Sequence, residues 1–132
     1  MKKILIVEDD QNIARALSIR LKNAGYEVSV AHDALSGIES AVKKVPDLVL
    51  LDISLPAGNG FTVAERIQSL VLTATPLIFL TASNEPGLRN KAKDSGAAAF
   101  FRKPYEFDDL LGAIQVALAG TPFVEERRVY SL

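Results

Sequence analysis

Four short runs of nearly unbroken apolar residues, at 4–7, 48–51, 77–80 and 97–101, constrain this chain more than any other feature. A strand with one wet face alternates apolar and polar side chains, whereas a strand without alternation has to be covered on both faces, as in a parallel sheet. A fifth stretch, Glu27-Val28-Ser29-Val30-Ala31, does alternate and reads as an edge strand.

Helical periodicity fills every gap between these runs. Ile13, Ala16, Leu17, Arg20, Leu21 and Ala24 recur at three- and four-residue spacing, and Gly25 stands where a helix would stop. Asp33 is placed to cap a second helix with Ala34, Leu35, Ile38, Ala41 and Val42 on its apolar face. A third is expected over residues 60–72, ahead of Pro76. A fourth should start near Pro86, a good first-turn residue, and end at Gly96. The fifth should run over 106–119 with Phe107, Leu110, Leu111, Ile114 and Leu118 inward. Strand then helix, five times over, predicts an α/β fold: a doubly wound parallel sheet with right-handed crossovers. Five such units in about 120 residues match the flavodoxin-like (βα)5 arrangement, strand order 2-1-3-4-5. The domain is expected over residues 1–119, with 120–132 a tail or linker stub whose segment 124–128 could extend the last helix.

Composition removes whole classes of function. With 48% hydrophobic residues the chain can bury a core, which excludes wholesale disorder. A net charge of -1 supplies no broad pull towards nucleic acid or anionic lipid. The absence of cysteine excludes disulfides and thiolate ligands, and a single histidine, His32, excludes a His-rich metal site. The apolar run after Met1-Lys2-Lys3 is too short for a signal peptide or a membrane span, so a cytoplasmic protein is expected.

In open parallel sheets, ligands bind beyond the carboxyl ends of the strands, where strand order reverses. Here the first strand runs into Glu8-Asp9-Asp10, the third ends in Asp52, the fourth in Thr81, and the fifth leads to Lys103-Pro104. Taken singly, the first three acids could cap the first helix, Asp52 could be a loop acid, Thr81 a turn hydroxyl and Lys103 a solvated charge. Their joint position at consecutive strand ends points instead to one site. Two carboxylates ~4 Å apart repel by about 4 kcal/mol at an effective dielectric of ~20, so such a cluster calls for cations. Lys103 supplies one charge, and Mg²⁺ suits a site of few carboxylates, carbonyl oxygens and waters.

These motifs together resemble the response-regulator receiver domain of two-component signalling: the acids after strand one, the segment Leu50-Leu51-Asp52-Ile53-Ser54-Leu55-Pro56 with Gly58 and Gly60, Leu80-Thr81-Ala82, and Lys103-Pro104. The resemblance spans Lys2 to about Ala119. It implies a signalling module rather than an enzyme, with Asp52 accepting a phosphoryl group from a sensor histidine kinase or phosphotransfer protein. It implies Mg²⁺ held by Glu8, Asp9, Asp52 and the backbone carbonyl of Ser54, with Asp10 adjacent but not assigned as a ligand. It further implies a hydroxyl on the phosphoryl group from Thr81, a charge from Lys103, a cis Lys103–Pro104 bond, and a switch in which Thr81 moves and the strand-five aromatic Phe100 responds. Helix four, strand five and helix five are the implied face for an output partner or a homodimer. Ala98-Ala99, where a subfamily of transcription factors carries acids, weakens one salt-bridged form of that dimer, and the tail pairing Glu125-Glu126 with Arg127-Arg128 is no nucleic-acid arm.

Four other readings fit less well. A haloacid-dehalogenase-like phosphohydrolase needs a second acid two residues after the first, where this chain has Ser54. A flavodoxin-like FMN carrier would place a phosphate against the acids at 8–10, and a P-loop enzyme needs a motif the chain lacks. A receiver-fold scaffold that is never phosphorylated stays open as an alternative, though Asp52, Thr81 and Lys103 together speak against it.

Overall fold

The computed structural model describes residues 1–54, 60–71 and 74–120. Five strands, β1 (Lys3–Val7), β2 (Glu27–Ala31), β3 (Leu48–Asp52), β4 (Leu77–Thr81) and β5 (Ala99–Arg102), form one parallel sheet in the order β2-β1-β3-β4-β5. Five helices alternate with them: α1 (Gln11–Asn23), α2 (Ala34–Lys44), α3 (Gly60–Leu70), α4 (Leu88–Asp94) and α5 (Phe107–Leu118). This is the flavodoxin-like fold expected from the apolar runs, with half-covered β2 at one edge.

The pleat sorts each strand between two cores. Leu5, Val7, Val49, Leu51, Phe79 and Phe100 pack with α2, α3 and α4. Ile4, Ile6, Leu48, Leu50, Ile78, Leu80 and Phe101 pack with α1 and α5. Neighbouring Phe100 and Phe101 therefore anchor opposite layers, and both are fully buried.

Several boundaries and faces differ from the sequence expectation. Helix α1 buries Ala14, Leu17, Ser18 and Leu21, whereas Ile13 and Ala16 face outward, because the small side chains at 14 and 18 let the helix lie close to the sheet. Leu35 of α2 is 69% exposed and Val42 also faces solvent; Gly37 and Ala41 face inward. A Cβ on Gly37 would come within 2.9 Å of Val7 Cγ1, so a larger residue there would force Val7 or the helix to shift. Leu111 of α5 is half-buried, and Ala113 and Ala117 join Leu110 and Ile114 inside. Pro86 does not open α4, because Gly87 follows it in a left-handed conformation (φ 85°) that a right-handed helix cannot contain. β5 starts at Ala99 rather than 97, since Ala97 N–H is still bonded to the Ala92 carbonyl as the chain leaves α4. Helix α3 ends at Leu70, and residues 55–59, 72–73 and 121–132, which include Leu55, Pro56, Gly58 and the expected tail, lie outside the described residues. No helix among the described residues is long and apolar enough to cross a membrane.

Candidate functional site

Parallel strands deliver their last residues to one edge, and the register brings the chemistry-bearing ones together. Val7 pairs with Leu51, Asp52 with Leu80, and Thr81 with Arg102. The ladder continues past the strands: Glu8 N–H donates to the Ala31 carbonyl (3.0 Å), Ile53 N–H to that of Leu80 (2.9 Å), and Lys103 N–H to that of Thr81 (2.7 Å). Glu8, Asp52 and Lys103 are thereby held by backbone bonds in or beside their own segments.

Lys103 reaches into the site from the turn after β5, where the Lys103–Pro104 bond is cis as expected. Its Nζ lies 2.6 Å from Glu8 Oε1 and 3.1 Å from Asp52 Oδ2. The other oxygen of each carboxylate accepts a backbone N–H: Asp52 Oδ1 from Ser54 at 2.8 Å, and Glu8 Oε2 from Asp10 at 3.2 Å. Carboxylate oxygens of Glu8, Asp9 and Asp52 all lie within 4.8 Å of one another, with Glu8 and Asp52 buried and Asp9 exposed.

Glu8 and Asp52 share one ammonium and Asp9 adds a third carboxylate beside them, so negative charge exceeds positive at a site where two of the three acids are buried. Burial pushes the Glu8 carboxyl up to about 7, opposed by its hydrogen bond to Lys103 and reinforced by Asp52. Burial acts to lower the Lys103 ammonium, but the Glu8 hydrogen bond and the charges of Asp52 and Glu8 outweigh it, and its pKa is raised. The charge deficit and the all-oxygen donor set fit a hard divalent cation.

Asp10 does not join this cluster. Its Oδ1 accepts from Asn12 N–H (2.9 Å) and Ile13 N–H (3.0 Å), capping α1. Of three consecutive acids, one is buried against Lys103, one is exposed at the cluster and one caps a helix. Thr81 is fully buried; its Oγ1 accepts from Ser83 N–H at 3.0 Å and lies 3.3 Å from Ser54 Oγ. Phe100 is outside this polar group, in the layer with α3 and α4.

The sequence reading passed over two contacts. His32, exposed in the loop after β2, places Nδ1 3.0 Å from the Glu8 carbonyl oxygen. Arg102 donates from Nε to the Ser83 carbonyl at 3.0 Å. The second had a visible signal, a cation closing an otherwise apolar strand; the first had none, because its partner is a backbone atom.

Comparison with known proteins agrees with this geometry. The response regulator receiver domain family matches residues 4–115. The chain is 36% identical to the response regulator ArlR of Staphylococcus saprophyticus, covering 92% of this chain and 54% of that protein. It is 40% identical to the transcriptional regulatory protein DltR of Streptococcus agalactiae, covering 86% and 50%. It is 36% identical to RpaA of Synechocystis, a DNA-binding dual master transcriptional regulator, covering 99% and 55%. The chain thus spans about half the length of these curated relatives. Among solved structures it is similar to a CheY-like receiver domain protein from Methanospirillum hungatei (31% identity, TM-score 0.85, covering 91% of this chain and 95% of that one). It is also similar to the non-phosphorylated HemR receiver domain from Leptospira biflexa (33% identity, TM-score 0.82, covering 90% and 95%). On the family match, the strand order and these relatives, the chain belongs to the response regulator receiver domains of two-component signalling.

Proposed function

We propose that this chain is a phosphoacceptor: Asp52 takes a phosphoryl group from a sensor histidine kinase or phosphotransfer protein. The observation that carries this reading is the clustering of carboxylate oxygens of Glu8, Asp9 and Asp52, with the Lys103 ammonium bonded to Glu8 and Asp52. Glu8, Asp9, Asp52 and the backbone carbonyl of Ser54 are the residues that would hold Mg²⁺. When bound, Mg²⁺ supplies positive charge for the carboxylates and for phosphoryl oxygens in flight.

The chain's own residues do the rest. One oxygen of ionised Asp52 attacks phosphorus in line; the O–P bond forms as the donor's P–N bond breaks, and the freed imidazole takes up a proton. The Ser54 N–H fixes the rotation of the Asp52 carboxylate. Lys103, already within reach of Asp52 Oδ2, is the cation that follows charge onto the transferred oxygens. The product is an acyl phosphate, which water hydrolyses slowly, so the module signals rather than turns over substrate. The hydroxyl of Thr81 is the group that senses the new oxygens, Phe100 is the core side chain that responds, and α4, β5 and α5 form the face offered to an output partner.

The test is labelling by acetyl phosphate with Mg²⁺. Wild-type protein should gain one phosphoryl group and Asp52→Asn none. Equal labelling of the two would overturn the assignment.

A further inference from the structure

Arg102 closes β5 directly before Lys103, and its guanidinium makes two contacts at once. Nε donates to the Ser83 carbonyl oxygen at 3.0 Å, and Cζ lies 5.9 Å from the centroid of the Phe100 ring. Arg89 of α4 approaches the same ring, at 5.1 Å. Ser83 is in turn bonded on its amide side, where its N–H donates to Thr81 Oγ1 at 3.0 Å. One loop residue therefore touches the Thr81 hydroxyl through its nitrogen and the arginine over Phe100 through its carbonyl.

We propose that Arg102 is a positioning residue that couples the Thr81 hydroxyl to the packing over Phe100 by way of the Ser83 carbonyl. The inference rests on the phosphoacceptor reading of Asp52 and adds the route by which that event reaches the core. A guanidinium is suited to it: its edge donates hydrogen bonds in the plane while its face covers an aromatic ring. When Thr81 Oγ1 turns towards oxygens on Asp52, the Ser83 N–H loses its acceptor. The Ser83 peptide then moves, and the Nε bond moves or breaks with it. The neighbouring helix yields easily. α4 buries only Leu88 and Ala92, and Gly87 at its start gives it no side-chain cap.

The test uses NMR of the whole chain with Mg²⁺ and beryllofluoride, a mimic of the phosphoryl group. In the wild type, the Ser54 amide, the Ser83 amide and the Phe100 ring should all shift. Arg102→Met keeps the apolar stem and removes the donor; its Ser54 amide should still shift while the Phe100 response shrinks about fivefold or more. An undiminished Phe100 response in that variant would overturn the proposal and leave the Asp52 reading intact. A wild type whose Ser54 amide does not shift would overturn both. A second measurement needs no variant. The Arg102 Nε–H should exchange with solvent slowly in the free protein and about fivefold faster with beryllofluoride, as expected for losing one hydrogen bond; unchanged exchange would also overturn the proposal.

Discussion

The Lys103 ammonium sits closer to Glu8 (2.6 Å) than to Asp52 (3.1 Å), so this cation is shared between two buried carboxylates rather than dedicated to one. Removing it should expose what it neutralises. Lys103→Met is expected to lose about 2 kcal/mol of stability at pH 8, since truncating one partner of a buried pair strands the other. The loss should shrink at pH 5, where Glu8 carries a proton. Urea denaturation at the two pH values checks this.

Glu8 gives the free protein a pH dependence of definite sign. Its carboxyl titrates near 7 in the fold against a reference value of 4.5. Between these values the folded protein holds a proton that the unfolded chain has released, so stability falls as pH rises through this window. In metal-free protein this group should remove up to about 3 kcal/mol between pH 4.5 and 8. Glu8→Gln should flatten that part of the profile. The same proton competes with a divalent ion, so Mg²⁺ affinity should rise from pH 6 to 8. Calorimetry in buffers of different ionisation heat would detect the released proton.

Asp9 and Asp10 should separate cleanly. Asp10 caps α1 through two backbone N–H groups, so Asp10→Ala should cost about 1 kcal/mol of stability and leave Mg²⁺ affinity nearly unchanged. Asp9→Ala should do the reverse. Thermal melts paired with Mg²⁺ titrations of both variants decide it.

Gly60 holds the chain against the end of β3. A Cβ there would lie 2.6 Å from Ile53 Cα and 2.8 Å from the Asp52 carbonyl oxygen, while Gly60 N–H donates to the Ile53 carbonyl at 2.8 Å. All of these atoms are backbone and cannot rotate away. Gly60→Ala is therefore expected to cost about 1–3 kcal/mol and to slow phosphorylation by acetyl phosphate, because the strain is relieved by moving Asp52. Chemical denaturation and a labelling time course measure the two effects.

Val45 carries strain far from the site. It ends α2 in a left-handed conformation (φ 44°, ψ 67°), which a β-branched residue adopts at a cost, and it is 48% exposed with little packing to lose. Val45→Asn should stabilise the protein by about 1 kcal/mol with labelling of Asp52 unchanged. A higher melting temperature at unaltered labelling rate is the expected pair of results.

Much of this site could be read before any coordinates. Asp52, Thr81 and Lys103 stand out because each follows a short apolar run, and in a parallel sheet every such run ends at the same edge. The acids at 8–10 were legible as a group but not as individuals. Periodicity also misplaced helix faces: Ile13 and Leu35 looked inward, yet Ser18 and Gly37 take the inner positions. Close approach of a helix to a sheet rewards small side chains, and a hydrophobic pattern does not register them.

The order of strands and helices, the parallel sheet and the strand ends that bear charge are local properties of periodicity and position, and the sequence alone determined them. The tertiary structure alone decided that Lys103 spans Glu8 and Asp52, that Asp10 turns away to cap α1, and that Arg102 ties Ser83 to Phe100. The hydrogen bonds among them join residues up to 95 positions apart at 2.6–3.1 Å, and only the packing of the whole sheet sets such distances across such separations.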